Sequence, residues 1–88
     1  IMIFKCTARY EVIKKSTTVE VKTGERFYNR AEVHDLGKIT HTIYGVSSFE
    51  EAQSQFNIII EGFKKLFNDS LVSIQIIDIH QDPSPEYA

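Results

Sequence analysis

The sequence predicts an α+β domain: an antiparallel four-stranded sheet in β-β-β-α-β order, with one long amphipathic helix packed on one face. Two observations carry that expectation. Residues 47–68 place Phe49, Ala52, Phe56, Ile59, Ile60, Phe63, Leu66 and Phe67 within one arc of about 120° on a helical wheel, as a core-facing helix requires. Residues 2–14 instead alternate, with Met2, Phe4, Cys6, Ala8, Tyr10 and Val12 one way and Lys5, Thr7, Arg9 and Glu11 the other, the period of a half-buried strand.

Each element has its own signals. After the first strand, Lys14-Lys15-Ser16 reads as a short hairpin connection, although no Asn-Gly or Gly is present to favour the turn. Residues 17–23 resume alternation through Val19 and Val21, and Gly24 closes the hairpin. Residues 25–37 fit neither period. They read as a long connection pinned by Phe27 and Leu36, with a helical turn near residues 30–36 or an irregular edge strand as alternatives. Residues 38–46, rich in Thr, Ile and Tyr, make a third strand. Ser48 suits a helix N-cap and Glu51 completes the capping box, while Asn68 and Asp69 stop the helix after Lys64 and Lys65. Residues 71–80 form the last strand with Val72, Ile74 and Ile76 inward, and Ile77 and Ile79 break the alternation, which indicates a bulge or burial on both faces. The domain spans 1–80, and 81–88, which hold both prolines, read as a flexible C-terminal tail.

Composition narrows the function classes. Eighty-eight residues, 42% hydrophobic and 25% charged, suit one globular domain. No apolar run approaches the ~18 residues of a membrane span. No signal peptide is legible, Met2 reads as the natural first residue, and Cys6 has no partner for a disulfide, so a cytoplasmic setting is expected. Net charge is −2, but residues up to His41 carry +3 and the remainder −5, a polarity suited to an acidic partner or a second copy.

Catalytic and metal chemistry find little support. The glycines at 24, 37, 45 and 62 are isolated, so no phosphate-binding loop exists, and no G-x-S-x-G occurs. His34-Asp35 and Asp78-x-His80 match no zinc spacing, and Cys6 falls on the core face of its strand. A nuclease with His41 as acid or base beside Arg9 or Lys38 is chemically conceivable but nothing fixes those groups together. No cofactor, metal or catalytic residue is therefore expected.

Binding has better candidates. One helix covers one sheet face, leaving apolar positions at the ends of the other for a homodimer or partner. Ile58 lies among polar residues on the outer helix face, with Gly62 one turn on, forming a shallow notch. A partner surface of Ile58, Gly62, Arg26, Phe27, Tyr28, Arg30, Glu50, Glu51 and Glu61 is expected. The alternative is a nucleic-acid stripe of Lys5, Arg9, Lys22, Lys38 and Tyr44 across the open sheet, opposed by Glu11, Glu20 and the acidic net charge.

The run Phe4-Lys5-Cys6-Thr7-Ala8-Arg9-Tyr10, the strand leading into Ser48-Phe49-Glu50-Glu51-Ala52, and the closing Ile-rich strand resemble small phage-encoded domains of unknown function, over residues 3–12 and 42–79. The resemblance implies a stand-alone accessory protein that binds and inhibits a host factor or acts on DNA. It assigns no residue a role.

Overall fold

The computed structural model describes residues 1–22 and 24–83, and side chains except those of 16–22 and 27–30. The architecture is α+β, with one helix on an antiparallel sheet. Among the described residues the sheet has three strands in the order β2-β1-β3: β1 is Met2–Lys22, β2 Glu25–Val46 and β3 Leu71–Gln81. The helix α1 runs Phe49–Phe67, followed by a 3-10 turn at Asn68–Ser70.

The strand count falls below four because the chain does not turn at Lys14-Lys15-Ser16. The two expected strands run on as one, and the first hairpin closes instead at Gly24, whose φ of +81° only glycine adopts without strain. Lys22 pairs with Glu25 at the end of the ladder. Residues 25–37 are likewise strand, continuing without interruption into 38–46. Their sequence hides this for a physical reason. Alternation marks a strand only where one face is covered, and here most of the pairing lies beyond the helix.

The helix forms as its caps direct. Ser48 Oγ accepts the Glu51 N–H at 3.1 Å and Glu51 Oε2 accepts the Ser47 N–H at 2.8 Å, satisfying two donors that the first turn leaves free. Asn68, at φ +50°, ends it by donating its N–H to the Lys64 carbonyl. Ala52, Phe56 and Ile60 are buried, with Ile59, Phe63 and Phe67 half-buried beside them. Leu66, expected inward, is 74% exposed. It stands at the margin of the arc, about 70° from the centre of the buried set. Phe49 is also largely exposed, yet its ring meets Phe4 edge-on at 6.2 Å.

Beneath the helix, Phe4, Cys6, Ala8, Val12, Ile43 and Val46 are buried, and Ile74, Ile76 and Ile79 pack against them. The expected bulge in β3 is present and occurs twice. Pairing with β1 skips Ile77 between Thr7 and Ala8, and Val72 between Glu11 and Val12. Each extra residue shifts the phase, so Ile79 turns inward while Val72, expected inward, is exposed. Gln81 belongs to β3, and Asp82 donates its N–H to the Ile3 carbonyl at 2.8 Å. Residues 84–88 lie outside the described ones.

Candidate partner-binding ribbon

The strands differ in length, and the site follows from that difference. β3 pairs with β1 only from Phe4 to Val12, whereas β2 pairs with β1 from Met2 to Lys22. Beyond Val12 the chain therefore continues as a two-stranded ribbon for about ten residues per strand, or about 33 Å. The principal extents are 69 × 26 × 16 Å and the radius of gyration is 19.8 Å. A compact chain of this length would have a radius near 12 Å.

Cross-strand polar pairs bridge the root of the ribbon. Lys14 Nζ lies 2.6 Å from Asp35 Oδ2, and that hydrogen bond, with the attraction of the carboxylate, pushes the lysine pKa up. His34 Nδ1 lies 2.8 Å from Glu11 Oε2. Both pairs are exposed, so each contributes little to stability. Val33 and Leu36 stand in water on the same strand.

The expected partner surface is divided between the two ends of the molecule. Arg26, Phe27, Tyr28 and Arg30 take register positions opposite residues 17–21, far along the ribbon; the side chains of Phe27, Tyr28 and Arg30 lie outside the described ones. Ile58, at 72% exposure, Gly62, Glu50, Glu51 and Glu61 belong to the helix over the other end. Two of those acids have local partners. Glu51 caps the helix, and Glu61 pairs with Lys64 at 2.9 Å. Nothing lies within 4 Å of a methyl built on Gly62, so the notch is open to solvent.

The basic stripe is brought together in part. Lys5, Arg9 and Lys38 share the open sheet face, with Arg9 and Lys38 directly opposed in register. Arg9 and Lys38, but not Lys5, border an open depression of about 480 Å³ together with Glu11, Leu36 and Gln75; Arg9 Nη2 donates to Gln75 Oε1 at 3.3 Å. Lys5 lies 3.8 Å from Asp82. Lys22 is at the far end of the ribbon, with its side chain outside the described ones, and Tyr44 is exposed near the opposite end of β2. His41 pairs in register with Cys6, an even position of β1, so it stands on the sheet face opposite Arg9 and Lys38. The nuclease arrangement is not assembled.

Cys6 is fully buried, and burial, followed by the charge of Asp78, pushes its thiol pKa up. His80 Nδ1 lies 2.5 Å from Asp78 Oδ2 in an exposed pair. Among the described residues no three His, Cys, Asp or Glu side chains converge on one point. Among them, too, no helix is long and apolar enough to cross a membrane. The chain matches no family model, curated protein or solved structure.

The ribbon is the feature that sequence reasoning missed. Its one local sign is that 14–16 lack the Asn-Gly or Gly that favours a tight turn, whereas Gly24 supplies one.

Proposed function

We propose that the chain is a small binding protein without catalytic activity, acting through a protein–protein surface on its projecting β1–β2 ribbon. One observation carries the reading: the ribbon extends about ten residue pairs past the last residue that β3 and the helix support. A two-stranded hairpin alone in water is marginally stable, and its free edges offer N–H and C=O groups to any strand laid beside them. A protein partner that adds a strand would satisfy those groups and hold the ribbon straight. Arg26, Phe27, Tyr28 and Arg30 then belong to the contact element, and Ile58 and Gly62 to a separate, lesser one. The phage-domain resemblance suits a cytoplasmic accessory protein that inhibits a host factor in this way.

The test is a shortened ribbon. Replacing residues 16–31 with Asn-Gly joins Lys15 to Glu32, a register pair, through the preferred hairpin turn. The helix-covered end should keep its circular dichroism while capture of partners from a host lysate is lost. Unchanged capture, or loss only with Ile58→Glu, would move the site to the helix.

A second reading, nucleic-acid binding, is favoured by the direct opposition of Arg9 and Lys38 beside the depression. Titration of labelled oligonucleotides at two salt concentrations decides it, since phosphate neutralisation makes affinity fall steeply with salt. Binding insensitive to Arg9→Ala plus Lys38→Ala would remove it.

A further inference from the structure

We propose a site apart from the ribbon: the depression on the open sheet face binds the phosphate of a small, hydroxylated phosphomonoester. β1 lies between its two neighbours there, so cross-strand rows border the depression. Lys38, Arg9 and Gln75 form one row, and Leu36, Glu11 and Ser73 the next. Residues two apart on a strand face the same way, which sets the rows about 7 Å apart. On β3 the run 73–76 is bracketed by bulges at Val72 and Ile77. A bulge bends its strand and re-aims neighbouring side chains, and the depression lies between the two.

The first row supplies the anion chemistry. Arg9 and Lys38 are directly opposite, and like charges so placed destabilise a sheet. Among the described residues no carboxylate pairs with either of them. A phosphomonoester carries about −1.5 to −2 charges near neutral pH, which balances two cations, whereas a carboxylate leaves one unbalanced. The Arg9 guanidinium presents a fork suited to two phosphate oxygens. Gln75 Oε1 accepts from Arg9 Nη2 at 3.3 Å, which steadies that fork and leaves the Gln75 amide N–H groups to donate to the same phosphate.

The second row takes the rest of the molecule. Glu11 Oε2 is engaged by His34 Nδ1 at 2.8 Å, leaving Oε1 to accept from a ligand hydroxyl. A carboxylate repels phosphate, so Glu11 sets the orientation, with phosphate over the first row and hydroxyls over the second. Ser73 lies beside it in register, and Leu36, 78% exposed, offers an apolar flank. The volume of about 480 Å³ falls within the ~300–1,000 Å³ of small-molecule sites. The positive charge does not continue as a track for successive phosphates. Lys5 lies 3.8 Å from Asp82, and Lys22 is at the far end of the ribbon.

Amide NMR shifts of the isotope-labelled full chain, followed during titration with ribose phosphate, uridine monophosphate and uridine, test this. Both phosphates should saturate with a Kd below about 1 mM and move residues 9–11, 36–38 and 73–75, while uridine leaves them in place. Equal affinity for the two phosphates assigns a sugar phosphate. Tighter uridine monophosphate, with the gain lost in Leu36→Ala, assigns a nucleotide whose base covers Leu36. Arg9→Gln and Lys38→Gln should each weaken binding about tenfold. Lys5→Gln, on the same face but outside the depression, should leave it unchanged. The Asn-Gly variant lacking 16–31 should bind as the full chain does, so the ribbon reading and this one fail separately. No saturation, shifts confined to other residues, binding that survives Arg9→Gln plus Lys38→Gln, or an equal loss with Lys5→Gln each overturns the proposal.

Discussion

Gly37 and Gly62 invite the same substitution and should respond with opposite sign. Gly37 is paired with Tyr10 across the β1–β2 ladder, and the tyrosine ring lies over it. A Cβ at 37 would sit 2.7 Å from Tyr10 Cε2 and nearer still to Cζ and Oη. The ring cannot simply give way, because it packs against Phe67 at 5.0 Å between centroids. Overpacking of this kind costs about 1–3 kcal/mol, and losing the ring pair costs about 0.5–1.5 kcal/mol. Reduced unfolded-state entropy returns about 0.4–1 kcal/mol. Gly37→Ala should therefore destabilise by about 1–3 kcal/mol, lowering Tm by roughly 4–8 °C for each kcal/mol. Gly62→Ala meets open space on a helix and should stabilise by about 0.5–1 kcal/mol. Urea titration followed by circular dichroism measures both. In a Tyr10→Ala background the obstacle is gone, so Gly37→Ala should become neutral or mildly stabilising. A Gly37→Ala chain at least as stable as the native one, or effects of 10 and 37 that simply add, would refute the argument.

Two further expectations concern the core. Phe56 is fully buried at its centre, so Phe56→Ala should cost about 3–5 kcal/mol, whereas exposed Ile58→Ala should stay within about 0.5 kcal/mol; comparable losses would show that the helix is rotated about its axis. The raised Cys6 pKa means the folded chain holds the thiol proton more tightly than the unfolded one. Its contribution is complete below the unfolded thiol pKa and fades as pH rises through the folded one, so Cys6→Ser should flatten the alkaline loss of stability. Iodoacetamide at pH 8 should leave native Cys6 unmodified and label it rapidly in urea. Rapid native labelling would contradict its burial.

Much of the helix-covered end was legible in the sequence. The 3.6-residue period of 49–67, its Ser48–Glu51 cap and the alternation of 2–12 each specify an element without help from distant residues, since each pattern reflects one covered face. The candidate site was less legible. Lys5 and Arg9 share a face because alternation along β1 decides that, whereas Lys38 joins them only through its register opposite Arg9. The expected partner surface was assembled from positions that the fold holds at opposite ends, because nothing local states how far β1 runs on.

What the sequence determined by itself was the class of the domain, one helix against an antiparallel sheet, and most of the core residues that join them, Leu66 and Val72 excepted. Only the tertiary structure decided that β1 continues through Lys14–Ser16, that 25–37 is strand, and that β3 pairs with β1 no further than Val12. The physical reason is that a covered face writes a period into the sequence. A ribbon open on both faces is not held to one, so its extent is settled by backbone pairing between strands rather than by any pattern within one.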